Sequence, residues 1–106
     1  MARTLINVPS GVRQGDLIEI KALIAHPMET GFRPGADGKV LPRDIIRIFT
    51  CHYNGEEVFA AELHSAISAN PYLSFFMTAA DSGTLEFNWQ GDNGFQQTER
   101  LALTVA

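Results

Sequence analysis

The chain has 106 residues, which fits one domain, because two domains of half that length would each struggle to bury a stable core. Its hydrophobic content of 45% excludes a disordered chain, and its formal net charge of −4 argues against nucleic acid or an anionic membrane surface as a partner. A single cysteine excludes an internal disulfide and any cysteine-based zinc or iron–sulfur site built by this chain alone. Residues 1–20 contain no continuous apolar stretch, so no secretory signal is predicted.

Apolar and polar residues alternate along most of the chain, which predicts half-buried β-strands. Asn54 and Gly55 predict a tight type I′ hairpin turn, whereas residues 65–70 are long enough only for a short helical turn. In chain order the predicted strands are Leu5–Val8, Asp16–Ala25, Arg43–Tyr53, Glu56–His64, Tyr72–Ala79, Thr84–Gln90 and a last strand with Leu101, Leu103 and Val105 inward.

About seven short strands joined by Gly- and Pro-containing turns predict an all-β, immunoglobulin-like antiparallel sandwich that forms a single domain over residues 1–106. An open barrel is the competing arrangement. The clearest inward-facing sets are Ile18, Ile20, Ala22 and Ile24 in the second strand and Leu85, Phe87 and Trp89 in the sixth.

A long segment between His26 and Asp44 breaks this regularity, with three prolines and three glycines in nineteen residues. Loops of this length in small domains are usually functional or disordered. Four of the eight basic residues lie within fifteen positions here: Arg33, Lys39, Arg43 and Arg47. The alternative is a plain surface crossover on which the arginines pair with Asp37 and Asp44.

The residues that could carry chemistry are scattered. Cys51 and His52 are neighbours in a predicted strand and therefore point to opposite faces, so Cys51 is interpreted as a buried structural thiol and not as a nucleophile. A copper site of the type known in sandwich proteins needs two histidines, a cysteine and a weak axial methionine, with the cysteine, one histidine and the methionine close together near the end of the chain, and that spacing is absent. No metal site and no catalytic constellation is predicted.

Three predicted strands are apolar on both faces, around Ile45–Phe49, Val58–Ala61 and Leu73–Met77. The outward face of an antiparallel sandwich is normally polar, so this surplus needs cover, either from the long loop or from another chain. A protein partner is the favoured explanation. The candidate interface residues are Phe75, Phe76 and Met77, of which at least one is expected to contact the partner.

Several segments together resemble the SoxZ family over the whole length of the chain. They are His26–Gly31, the hairpin Phe49–Phe59 followed by Ala61–His64, Ile67–Tyr72, Phe87–Trp89 and the Asp92–Gly94 turn. The resemblance implies a non-catalytic subunit of the SoxYZ carrier, a heterodimer or a pair of heterodimers that holds sulfur intermediates during thiosulfate oxidation and contacts other Sox enzymes transiently.

In that family the carrier cysteine lies in a C-terminal Gly-Gly-Cys-Gly-Gly arm of the partner, SoxY. This sequence ends in Thr104-Val105-Ala106, so Cys51 is not expected to inherit the carrier role. The resemblance also implies a periplasmic location by co-export with the partner, and no cofactor.

The arm's anionic cargo would suit a site containing His26, Met28, Arg33, Arg43 and Arg47, since guanidinium groups donate paired hydrogen bonds to oxyanions. The alternative from another functional class is a small sandwich metalloprotein with a redox site made from the histidines.

Overall fold

Two antiparallel β-sheets face each other in the computed structural model, which describes residues 2–106. One sheet has three strands in the order β1-β2-β5, and the other has four in the order β4-β3-β6-β7. The strands are β1 (Thr4–Asn7), β2 (Leu17–Ile24), β3 (Ile46–Tyr53), β4 (Glu56–Glu62), β5 (Tyr72–Thr78), β6 (Gly83–Gly91) and β7 (Gln96–Leu103). The predicted seven-stranded sandwich is confirmed, and because the two sheets do not join, the open barrel is not.

The core lies between the two sheets and is built from the predicted alternating residues. Ile18, Ile20, Ala22 and Ile24 of β2 are buried, as are Leu85, Phe87 and Trp89 of β6. The ring of Phe49 on β3 lies at the centre, 5.2 Å from the Trp89 ring and 6.2 Å from the Phe75 ring on the facing sheet.

The last strand differs from its prediction. β7 begins at Gln96 and ends at Leu103, so Val105 lies beyond it, and Leu101 is 37% exposed. The buried residue that the pattern missed is Gln97, whose amide bonds the backbone N–H and C=O of Ala2 at 3.0 and 2.8 Å. Because these bonds satisfy it, a polar side chain can be buried at this sheet edge.

The connections show why the chain turns where it does. Asn54 and Gly55 both have positive φ, 51° and 85°, as the predicted hairpin turn requires. Within residues 65–70 one hydrogen-bonded turn forms, closed by the Ile67 N–H and the His64 carbonyl, and there is no helix. The one 3₁₀ turn within residues 2–106 lies at Asp92–Gly94 instead. No helix of residues 2–106 is long and apolar enough to cross a membrane.

The long loop is itself partly paired. Glu29 and Asp44 exchange two backbone hydrogen bonds of 2.8 Å near its two ends, and Pro34 is bridged to Val40 near its tip. The loop is therefore a folded excursion from the sandwich, which gives its side chains defined positions.

Tyr53 closes one end of the sandwich. Its ring is buried, and its hydroxyl donates to the carbonyl of Asp81 and accepts the N–H of Ala80 at 3.0 Å. One hydroxyl thus satisfies two backbone groups in the connection between β5 and β6.

Replacing Tyr53 by Phe should lower the free energy of unfolding by about 1–3 kcal/mol, because the Ala80 N–H loses its acceptor in a partly buried site. Urea denaturation of the isolated chain measures this loss. Tyr72→Phe is the matched control, since Tyr72 is 55% exposed, and it should change stability by less than about 0.5 kcal/mol. Equal effects of the two substitutions would contradict the role given to Tyr53.

Candidate functional site

An open cleft of about 740 Å³ lies between the long loop and the ends of β3 and β4. We call it the loop cleft. The loop contributes its first half and Arg43, β3 contributes Arg47 and Ile48, and the chain leaving β4 contributes His64. The lining residues are Thr30, Phe32, Arg43, Ile45, Arg47, Ile48, Glu62, Leu63, His64, Ser65 and Ala66.

The two arginines of the loop cleft have different electrostatic environments. Arg43 makes a bidentate ion pair with Asp92, at 2.8 and 2.9 Å, so its charge is already compensated. Arg47 makes no ion pair within residues 2–106 and is exposed. Because guanidinium groups stay charged and donate paired hydrogen bonds, Arg47 is the group best able to contact an added oxyanion. Glu62, on the same wall, limits how much negative charge the cleft accepts.

Asp92 fixes the wall that carries Arg43. Its carboxylate accepts the Ile45 N–H at 3.2 Å in addition to the Arg43 guanidinium, and its own N–H donates to the Ile45 carbonyl at 2.9 Å. The hydrogen bond from Arg43 is the main reason why the pKa of Asp92 is lowered. Gly91 permits this approach, because a Cβ there would lie 2.4 Å from the Ile45 carbonyl oxygen.

His26 and Met28 lie at the start of the long loop and fix its position. His26 is 5% exposed, its Nδ1 accepts the Met28 N–H at 3.0 Å, and Asn70 bonds its backbone N–H and C=O at 3.0 and 2.8 Å. Met28 is buried as well, with φ of 50°, and its sulfur accepts the Ile46 N–H at 3.2 Å.

Neither side chain of this pair lines the loop cleft. The reason is physical, since both side chains satisfy buried backbone donors and are held beneath the loop. The loop cleft thus brings together Arg43 and Arg47 of the five predicted residues.

Arg33 also lies outside the loop cleft. Its guanidinium pairs with Glu29, four residues earlier, with a shortest distance of 2.6 Å. The alternative interpretation expected arginine partners at Asp37 and Asp44, whereas the partners of Arg33 and Arg43 are Glu29 and Asp92. Asp92 is 49 residues from Arg43 along the chain, so only the fold could reveal that pair.

Phe32 and His64 are two of the cleft residues that were not predicted from the sequence. Phe32 is 82% exposed, and His64 is exposed beside Ser65. An aromatic residue within a Gly- and Pro-rich loop is a weak signal for Phe32. The sequence contains no comparable signal for His64, because the position of His64 in the cleft depends on how the chain beyond β4 packs against the loop.

Cys51 is fully buried in β3, and burial raises the pKa of its thiol to about 12. The thiolate is the nucleophilic form, so this thiol is inert near neutral pH. The expectation of a buried thiol on the face opposite to His52 is confirmed. Within residues 2–106 no three His, Cys, Asp or Glu side chains are placed to hold a metal ion.

The three candidate interface residues separate into two groups. Phe75 and Met77 are 4% and 6% exposed and belong to the core, where Phe75 stacks on Phe59 at 4.4 Å. Phe76 is 61% exposed on the outer face of the three-stranded sheet. A partner interface on β5 therefore falls on Phe76 and not on its two neighbours.

Comparison with known proteins now adds to this geometry. The model of the family described as sulphur oxidation protein SoxZ matches residues 6–102. The chain belongs to the SoxZ family. The match spans β1 to β7 and includes every residue of the loop cleft, so the SoxZ assignment covers both fold and candidate site. No curated protein matches the chain.

Solved structures share the fold of this SoxZ chain. A superoxide reductase (neelaredoxin) from Ignicoccus hospitalis matches with a TM-score of 0.71 and 13% identity, covering 99% of this chain and 82% of the other. A hypothetical protein from Pyrococcus horikoshii OT3 matches with a TM-score of 0.65 and 17% identity, covering 96% and 88%. At these identities the likeness concerns the sandwich fold alone.

Burial lowers the pKa of His26, and the negative charges of Asp44 and Asp92 offset this only in part. A lowered pKa means that below about pH 6.5 the unfolded chain binds a proton that the folded chain resists. The free energy of unfolding should therefore fall with decreasing pH, by at most about 1.4 kcal/mol per pH unit, until the folded pKa is reached.

This pH dependence can be measured by urea unfolding between about pH 6.5 and 5.5. His26→Asn keeps an acceptor for the Met28 N–H but does not titrate, so it should flatten the slope in that window. His64→Asn, at an exposed histidine, should leave the slope unchanged. An unaltered slope in His26→Asn would rule out His26 as the origin.

Proposed function

We propose that this SoxZ-family chain is the non-catalytic subunit of a heterodimeric carrier, and that a SoxY-like partner bears the cysteine that holds sulfur intermediates during thiosulfate oxidation. The family places the chain in sulfur oxidation. The inert Cys51 supports a carrier cysteine on another chain. A periplasmic location reached by co-export with the partner belongs to the same proposal.

The observation that carries the proposal is the outer face of the three-stranded sheet. Leu5, Leu23 and Tyr72 lie side by side across its three strands, since Leu5 pairs with Leu23 and Leu23 pairs with Tyr72. Phe76 and Leu17 lie on the same face nearer its other end, beyond Lys21 and Ser74, and they are 61% and 70% exposed. Large exposed apolar side chains gathered on one sheet face are typical of a protein interface.

Charge on this face is already neutralised. Glu19 accepts the Ser74 hydroxyl at 2.6 Å and lies 3.8 Å from the Lys21 ammonium. Neither charged side chain therefore requires an opposite charge on a partner. This suits an interface held mainly by the hydrophobic effect.

The outer face of the four-stranded sheet is different. There Arg100 pairs with Glu86 at 2.9 Å, and Thr98 donates to Asn88 at 2.7 Å. These polar side chains satisfy one another on the β6–β7 half of this face, as expected for a surface without a partner. The contrast between the two faces supports docking through the three-stranded sheet.

The loop cleft supplies a second element of the proposal. Within it, Arg47 is the uncompensated cation, and Phe32 and Ile48 provide exposed apolar surface nearby. We assign to the cleft a transient contact with the anionic cargo on the partner's arm. A weak contact suits a carrier, because an exposed ion pair contributes about 0–1 kcal/mol and lets the cargo leave for the next enzyme.

Phe76→Asp should leave a folded monomer but weaken heterodimer formation by about 2 kcal/mol or more, since a charge then replaces a buried anchor. Calorimetric titration with the purified partner measures the change. Val40→Asp is the matched control, because Val40 is 60% exposed in the long loop, and it should leave affinity unchanged. Unaltered affinity in Phe76→Asp would show that the partner binds elsewhere.

Arg47→Glu tests the loop cleft separately. Heterodimer assembly should be unaffected, while turnover of the loaded carrier should slow about two- to fivefold, which corresponds to the loss of one exposed ion pair. Arg13→Glu makes the same charge change at an exposed site outside the cleft, and its turnover should equal that of the wild type. If both variants slow equally, overall charge and not the cleft is responsible.

A further inference from the structure

The open edge of β4 is the feature that the proposed function leaves unused. We propose that an extended segment of the partner subunit pairs with this edge as a fifth strand and leads into the loop cleft. The inference rests on the proposed function only for the existence of the partner. Backbone geometry, surface shape and charge support the pairing of this segment with β4.

The backbone of β4 presents free hydrogen-bonding groups. β4 lies at the end of its sheet and pairs only with β3. The N–H of Leu63 donates to the carbonyl of Arg47 at 2.8 Å, and the direction of bonding alternates along an antiparallel pair. Phe59 and Ala61 therefore bond towards β3, and the N–H and C=O groups of Ala60 and Glu62 point to the open side. Such an edge is a template for an added strand.

Small side chains keep this edge accessible. A shallow hollow of about 320 Å³ is lined by Ile48, Ala60, Ala61 and Glu62. Two of these residues, Ile48 and Glu62, also line the loop cleft. The edge and the cleft therefore form one continuous path, along which an extended chain can run.

The opposite side of the sandwich is closed by polar contacts. There the amide of Gln97 in β7 bonds Ala2, which precedes β1, and the Thr4 hydroxyl of β1 donates to Glu99 at 3.0 Å. On the β4 side the contact between sheets is the stack of Phe59 on Phe75, and within residues 2–106 no hydrogen bond joins β4 to β5.

This open side also adjoins the proposed heterodimer interface. β5, which carries the exposed Phe76, is the edge strand of the facing sheet on the same side of the sandwich as β4. A partner docked on the three-stranded sheet therefore has a short route to the β4 edge.

Charge distinguishes the partner segment from a second copy of this chain. Three of the seven residues of β4 are glutamates: Glu56, Glu57 and Glu62. Pairing two copies of β4 would place these carboxylates opposite one another, and like charges across a strand pair are destabilising. The occupant is therefore an uncharged or basic extended segment of a different chain, with any anionic group confined to the end that reaches Arg47.

Ala60→Pro tests the edge directly. The Ala60 N–H is not used within the sheet, and proline is tolerated at such edge positions. The substitution should therefore leave the fold intact. It removes a hydrogen-bond donor that the added strand needs. Affinity for the partner should fall at least tenfold in a titration of the two purified subunits.

Ala102→Pro is the matched control on β7, the other edge strand of the same sheet. The Gly91 N–H donates to the Phe95 carbonyl at 2.9 Å, and by the same alternation the N–H of Ala102 points away from β6. This variant should bind the partner with wild-type affinity.

Hydrogen exchange on the wild-type chain supplies a readout that does not depend on how the proline variants fold. The amides of Ala60 and Glu62 should exchange at least tenfold more slowly in the heterodimer than in the isolated chain, and the Ala102 amide should not change. Unchanged exchange at Ala60 and Glu62 would overturn the inference. The inference would also be overturned if exchange of these amides in the isolated chain became slower as the chain concentration increased. That result would assign the edge to a second copy of this chain.

The two proposals fail in different ways. If no heterodimer forms at all, the proposed function is wrong. If the heterodimer forms and Ala60→Pro binds as tightly as the wild type, only the strand addition is wrong.

Discussion

The carboxylate of Asp92 is the group on which the candidate site depends. It accepts hydrogen bonds from the Arg43 side chain and from the Ile45 backbone, and so ties the end of the long loop to the turn between β6 and β7. The other end of the loop is held by His26 and Asn70. A loop with three glycines and three prolines has no regular element of its own to stabilise it. These two anchors give the loop cleft its shape.

Acidic residues near the loop also determine which basic residues keep an uncompensated charge. Asp92 and Glu29 compensate Arg43 and Arg33, and this leaves Arg47 as the loop-cleft arginine with an uncompensated charge. A high local density of arginine therefore does not translate into a strongly positive site. The resulting electrostatics suit weak, reversible contact with one anionic group, which agrees with the carrier role proposed above.

The two outer faces of the sandwich differ in polarity, and its two sides differ in whether they are closed. The outer face of the four-stranded sheet carries polar pairs that bond one another, while the three-stranded sheet exposes Leu17, Tyr72 and Phe76. One side of the sandwich is sealed by Gln97 and Thr4, and the other side leaves β4 open. This asymmetry places the exposed Phe76, a free strand edge and the loop cleft on the side of the molecule where β4 and β5 meet.

Local pattern in the sequence determined the strands, the Asn54-Gly55 turn and most of the core, because a period of two requires only neighbouring residues to be read. It also placed Cys51 inside, and the SoxZ-like segments carried the family. The pattern failed at β7, where burial of Gln97 depends on Ala2, distant in the chain.

The tertiary structure alone determines which residues form the site. Arg43 meets Asp92 across 49 positions, and the sulfur of Met28 reaches the Ile46 N–H across 18, so no local pattern could show which of the five candidate residues reach the cleft. The same holds for Phe75, Phe76 and Met77. The sequence shows bulk on both faces of β5, but only the packing of the two sheets determines that Phe75 and Met77 fill the core and that Phe76 faces outward.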